Sequence, residues 1–169
     1  MDVTNFSKNT KQEADGLLTY GNVLDVLSKY GKVVLSGSFE HDLMWGPDID
    51  LVVVSDKPEE VSYCALKDFI EQRKFQKYQL GDFAKFPLKN RPHDIIVVLI
   101  HEYNGRRWEI EIWFLPDITL YREQLHTYKS KINEENRLKI LYTKHERNAL
   151  GQTKYERSSI EIYDEILNV

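Results

Sequence analysis

Apolar positions along this chain fall into two periods. From about Ala14 to Tyr30, Leu17, Leu18, Val23, Leu24, Leu27 and Tyr30 recur at helical spacing, with Gly31 as a stop. "KVVLSG" then reads as a short buried strand and "DIDLVVV" as a second. "DKPEEVSYCALKDFIEQ" returns to the helical period, with Pro58 suited to the first turn and Glu59 and Glu60 complementing its dipole. Beyond it, "FQKYQLGDFAKF", "HDIIVVLIHEY" and "RRWEIEIWFL" predict three strands. Asn104-Gly105 predicts a tight hairpin between the last two, because a type I′ turn needs positive φ at both central residues. From Pro116 the pattern is helical through "ITLYREQLHTYKSKINEENRLKILYTKHERNAL" to a stop at Gly151, and "SSIEIYDEIL" is a last short helix with serine near its cap.

Only nine residues separate Ser38 from Asp48, which is short for a parallel crossover with its own helix. The expectation is an α+β fold: a mixed β-sheet with helices packed on one side and a C-terminal helical segment. Residues 1–116 would form the core, and 117–169 a helical segment packed on it as one compact domain.

The chain has 169 residues, 41% apolar and 30% charged, enough for a sizeable core. A net charge of −4 disfavours long nucleic acid and anionic membrane as general partners. The single cysteine, Cys64, excludes an internal disulfide and a cysteine zinc cluster, and its neighbours Val61, Ala65 and Phe69 predict a buried thiol. No run reaches the ~18 apolar residues of a membrane span, and "MDVTNFSKNTKQEADG" has no apolar leader core. Asn5-Phe6-Ser7 matches a glycosylation triplet only by chance in a chain expected to be cytoplasmic.

The chemistry concentrates where "DIDLVVV" begins. Residues two apart in a strand share a face, so Asp48 and Asp50 would point together. Like charges side by side repel, and burial raises the cost. A divalent cation resolves both, and Mg²⁺ favours carboxylates combined with water and substrate phosphates. Taken alone, Asp-x-Asp at a strand's mouth is also an ordinary turn or capping pair. Gly37-Ser38 follows a strand, and a tight turn there would offer backbone N–H groups and a hydroxyl to a phosphate. In "RRWEIEIWFL", Trp108, Ile110, Ile112 and Phe114 share one face and Glu109 and Glu111 the other.

Gly-Ser, nine residues, Asp-hydrophobic-Asp, then a later strand with an acid between hydrophobics resembles the polymerase-β-like nucleotidyltransferase superfamily, over about Lys32 to Leu115. With "DLM", Trp45 and "NGRRWEIEIWFL", the string is similar to a small bacterial branch of it. The resemblance implies an NTP co-substrate and two Mg²⁺ ions. Asp48 and Asp50 would hold both metals, and Glu111, favoured over Glu109, would complete the site and help activate the acceptor hydroxyl. Gly37 and Ser38 would hold the triphosphate. The implied activity is transfer of a nucleoside monophosphate to a hydroxyl on a small molecule or a protein. The alternative is an antitoxin-type or nucleotide-binding regulatory protein, with a toxin partner or a homodimer. A plain structural α+β domain with surface acids is the third reading.

The sequence departs from the family where many members carry an arginine shortly after the serine. Here stand Phe39, Glu40, His41 and Asp42. Asp42 is a further polar site candidate but reads first as a turn former, and His41 as a loop surface residue. Cations for the triphosphate would come from Lys85, Lys89, Arg91, Lys139, Lys144 or Arg147, each of which reads individually as a solvated surface charge. Tyr121, Tyr128 and Tyr142 have a base-stacking ring, although helical spacing makes them core candidates first. Trp45 would line the acceptor pocket or pack.

Overall fold

A computed structural model describes residues 1–87, 94–119, 127–153 and 156–169. Lys89, Arg91 and Tyr121 lie outside them. The element order is α1 (Val3–Gly21), α2 (Val23–Ser28), β1 (Lys32–Ser36), α3 (Gly37–Glu40), β2 (Asp48–Val54), α4 (Pro58–Gln72), β3 (Lys77–Asp82), β4 (Ile95–Tyr103), β5 (Arg106–Leu115), α5 (Glu134–Ala149) and α6 (Ser159–Leu167).

Five strands form one mixed sheet in the order β1-β2-β5-β4-β3. β2 and β5 run parallel at its centre, and the other three pairings are antiparallel. The β4–β5 turn has φ of 50° at Asn104 and 72° at Gly105, as the hairpin signal predicts.

Alternation along the central strands sorts the two faces. Ile49, Leu51 and Val53 of β2 and Trp108, Ile110, Ile112 and Phe114 of β5 pack into the main core. Val23, Val26 and Leu27 of α2, Ala65 and Phe69 of α4, and Ala14, Leu17 and Leu18 of α1 close that core. The opposite face carries a smaller cluster of Val52, Ile96, Trp113, Leu115 and Ile118. On that same face, towards the start of β2, the alternation places Asp48 and Asp50.

A third apolar cluster joins α5 and α6 to the rest. Ile140 and Leu141 of α5 and Ile162, Tyr163 and Leu167 of α6 pack with Val3 of α1, Leu43, Trp45 and Tyr128. Ser158 and Glu161 form a reciprocal capping box that starts α6. Asn133 caps α5 by accepting from the Asn136 backbone N–H.

Three local expectations are corrected. The first helix begins at Val3 rather than near Ala14, and Asn22, left-handed at φ 52°, divides it from α2. Cys64 is exposed. The buried stripe of α4 is Ser62, Ala65 and Phe69, and position 64 sits about 100° round the helix from Ala65. Tyr142 is exposed as well, because the buried line of α5 runs through Ile140, Leu141, Lys144 and Arg147. No helix among the described residues is long and apolar enough to cross a membrane.

Candidate active site

The pairing register builds an acidic row. Asp48 lies opposite Glu109 and Asp50 opposite Glu111 across the parallel β2–β5 pair. Ser36 lies opposite Asp50 on the other side. All five positions share the sheet face that carries Val52 and Trp113. Neighbouring strands are about 4.8 Å apart, and two unit charges at about 5 Å repel by roughly 3 kcal/mol at an effective dielectric of ~20. Such a row needs cations.

α5 brings two. Lys144 is 1% exposed, and the charges of Asp48 and Asp50 both favour its ammonium. Burial outweighs them and pushes its pKa down to about 7. Arg147, one turn further on, is also buried, and its pKa too is lowered by burial against the attraction of Asp48. Its Nη1 donates to the Arg157 carbonyl at 2.9 Å, and its buried Nε has no partner among the described residues. The expectation of solvated charges fails at these two positions, because both fall on the inward line of α5. Lys139 meets it, pairing with Glu135 on the outer face of the helix at 2.6 Å. Lys85 follows Asp82, which pairs with Ile95 at the far end of the sheet from Asp48.

The turn after β1 abuts the row. Gly37 has φ 58°, and a Cβ on it would lie 2.2 Å from Oδ2 of Asp50. A Cβ on Gly46 would lie 2.3 Å from Oδ1 of Asp48. Each aspartate is therefore seated against a glycine that leaves its carboxylate room. Ser38 is 8% exposed, and its Oγ accepts from Lys144 Nζ at 2.7 Å and lies 3.0 Å from the Tyr163 hydroxyl. The same ammonium donates to Tyr163 Oη and to the Leu43 carbonyl, each at 2.8 Å. Burial raises the Tyr163 pKa well above that of an ordinary phenol. Tyr163 and Ser36 were not singled out from the sequence. Tyr163 had a signal, since it sits on the apolar stripe Ile162, Tyr163, Ile166, Leu167.

The segment from Phe39 to Asp42 is pinned from outside. Arg137 Nη1 donates to the His41 and Asp42 carbonyls at 2.9 Å each. Asp42 is left-handed at φ 55°, and its side chain pairs with Lys11 of α1. His41 is buried rather than on the surface. Its ring meets Tyr128 and Tyr163 edge-on, Nε2 has no partner among the described residues, and burial lowers its pKa. Trp45 packs between Phe6, at 4.5 Å between ring centroids, and His145, at 5.4 Å. Tyr128 is a core residue whose hydroxyl donates to Asp164 at 2.6 Å. Glu109 faces Arg107 at 3.8 Å.

Among the described residues, no three acidic, imidazole or thiol side chains converge as a ready-made metal cage. The donor chemistry of Asp48, Asp50 and Glu111 nevertheless suits Mg²⁺, a hard cation that keeps several waters and is bound through one or two carboxylates plus substrate phosphates. A ready-made protein cage is not what that ion requires.

No family model matches the chain, and no curated protein matches it in sequence. Among solved structures it is similar to Cid1, an RNA terminal uridylyl transferase, with a TM-score of 0.57 and 19% identity over 87% of this chain and 45% of that one. It is also similar to a cytoplasmic RNA terminal U-transferase, with a TM-score of 0.51 and 18% identity over 87% of this chain and 46% of the other. The chain spans less than half the length of these solved relatives. At such identity the likeness is one of fold, and that fold is nucleotidyltransferase-like.

Proposed function

We propose that this chain moves a nucleoside monophosphate from an NTP to an acceptor hydroxyl and releases pyrophosphate. The observation that carries the reading is the register of β2 on β5, which lines Asp48, Asp50 and Glu111 along one face beside the Gly37-Ser38 turn. The likeness of fold to uridylyl transferases supports it.

Asp48 and Asp50 would hold Mg²⁺ together with the substrate's phosphates. Mg²⁺, when bound, lowers the pKa of an attacking hydroxyl and offsets charge on the leaving oxygen. Glu111 would receive the acceptor's proton. The acceptor oxygen bonds to the α-phosphorus, and the α-phosphorus–oxygen bond to the β-phosphate breaks. Ser38 and the backbone of its turn hold the triphosphate, and the positive charge of Lys144 and Arg147 compensates for the absent arginine. Most of the acceleration comes from positioning and electrostatics.

The acceptor is a hydroxyl on a small molecule or a protein, and the net charge of −4 disfavours long RNA. The solved relatives act on RNA ends, so a short RNA belongs among the acceptors tried, and UTP is the first nucleotide to test. The regulatory alternative draws no support from these comparisons.

The test is calorimetric titration of ATP, GTP, CTP and UTP, each with and without Mg²⁺, into wild type and Asp48→Ala/Asp50→Ala. Mg²⁺-dependent binding of at least one NTP, lost in the double variant, is the expected result. Transfer of label from that NTP to an acceptor follows. Failure of wild type to bind any NTP overturns the reading.

A further inference from the structure

We infer that Lys144 is a positioning residue that acts on the nucleotide through the Ser38 hydroxyl, with Tyr163 fixing the direction in which that hydroxyl donates. The inference rests on the nucleotidyltransferase reading of the site and adds the means by which α5 and α6 control it.

The argument is a count of protons. In its charged form Lys144 has three N–H donors and no acceptor. These go to Ser38 Oγ, Tyr163 Oη and the Leu43 carbonyl, at 2.7, 2.8 and 2.8 Å. Ser38 and Tyr163 therefore both accept from Lys144. They also lie 3.0 Å from each other, so one donates to the other. Tyr163 is 2% exposed, with ring edges of His41 and Tyr128 about it. Its only other hydrogen-bonding neighbour among the described residues is Ser38. Were Ser38 the donor, the phenolic proton would be buried with no acceptor among the described residues, the costly arrangement. The phenol therefore donates to Ser38.

Ser38 Oγ then carries Cβ and two accepted hydrogen bonds, from Lys144 and from Tyr163. Its own proton takes the remaining tetrahedral direction, where an anion in the site would accept it. A buried positive charge one bond behind polarises that O–H, since charge-assisted hydrogen bonds are the stronger ones. The turn itself is held still. Leu43 N–H donates to the Ser38 carbonyl at 2.9 Å, and the Leu43 carbonyl accepts from Lys144. Arg137, two turns before Lys144 on α5, grips the His41 and Asp42 carbonyls.

A lysine acting through Ser38 and a lysine touching the nucleotide differ in one measurable respect. The test is a double-mutant cycle read as Mg²⁺-dependent NTP affinity and, separately, as affinity for inorganic tripolyphosphate. Ser38→Ala and Lys144→Met are each expected to weaken binding by about 10- to 100-fold, the range of a hydrogen bond to a charged group. Lys144→Met added to Ser38→Ala is expected to cost less than about 3-fold more. Tyr163→Phe should behave as Lys144→Met does, with a smaller loss. It also serves as the second variant if circular dichroism shows Lys144→Met unfolded. Arg137→Met is the structural control, and its loss should add in full to that of Ser38→Ala.

Full additivity of Lys144→Met, or of Tyr163→Phe in its place, with Ser38→Ala overturns this inference and leaves the proposed function standing. Absence of NTP binding by wild type overturns both. Non-additive loss confined to the Ser38, Lys144 and Tyr163 set supports both.

Discussion

Replacing Gly37 by alanine separates two effects that a glycine at a site usually confounds. Its φ of 58° is left-handed, where a Cβ costs about 1–2 kcal/mol. For a chain of this length that lowers Tm by about 2–8 °C. The new Cβ would also lie 2.2 Å from Oδ2 of Asp50, 3.0 Å from its Cγ and 3.2 Å from its Cβ. Ordinary contact begins at 3.4 Å, so the carboxylate oxygen must retreat by about 1 Å. Misplacement on that scale costs on the order of 10²-fold in rate. Gly105→Ala is the matched control, with φ 72° and nothing within 4 Å of the added Cβ. Thermal unfolding should show Gly105→Ala paying the backbone cost and Gly37→Ala at least as much. Transfer from labelled NTP should fall about 100-fold in Gly37→Ala alone. Undiminished transfer in Gly37→Ala, or an equal loss in both variants, refutes the placement of Asp50 against this turn.

The third acid is decided by turnover of labelled NTP. Glu111→Gln should lower it by about 10²-fold or more while Glu109→Gln stays within a few-fold, and the reverse order would transfer the role to Glu109. Tyr128→Phe removes the hydroxyl bound to Asp164 at 2.6 Å and should cost about 1.5–3 kcal/mol in urea unfolding. The exposed Tyr142→Ser should stay within about 0.5 kcal/mol, and equal losses would contradict their placement. Burial lowers the His41 pKa below 6.5, so the unfolded chain takes up a proton near that pH which the folded chain declines. Stability should be greatest above pH 6.5 and fall as pH drops from 6.5 towards the folded value. His41→Phe should flatten that slope in unfolding measured pH by pH, and an unchanged slope counts against the buried imidazole.

Where burial follows the apolar letters, the sequence was easy to read. β2, β5 and the Asn104-Gly105 turn stood out because their alternation and turn chemistry are local. The first eleven residues of α1 did not, because the buried stripe there is Val3, Ser7 and Thr10. A helix that buries small polar residues has little hydrophobic signature. Asp48 and Asp50 were legible as a pair on one face. Their pairing with Glu109 and Glu111 was not, since it depends on which strand lies beside β2. Lys144 was misread for a related reason. Taken by type a lysine is a surface residue, yet its place in the line Ile140, Leu141, Lys144, Arg147 was the sign of an inward charge.

The parallel pairing of β2 with β5 also sets when the site can exist. Its two halves are about sixty residues apart in the chain, from Asp48 with Glu109 to Val54 with Leu115. The β1–β2 and β4–β5 pairs are local and close early, whereas the seam between β2 and β5 must wait for a long loop to close. The acids oppose that closure by mutual repulsion. Leu51 with Ile112 and Val53 with Phe114, on the apolar face beneath, must supply the drive. A chain caught before the seam forms holds two separate ribbons, each with its own pair of carboxylates, and no row. Assembly of the acidic row is thus expected late in folding, at a rate set by apolar residues on the opposite face of the sheet.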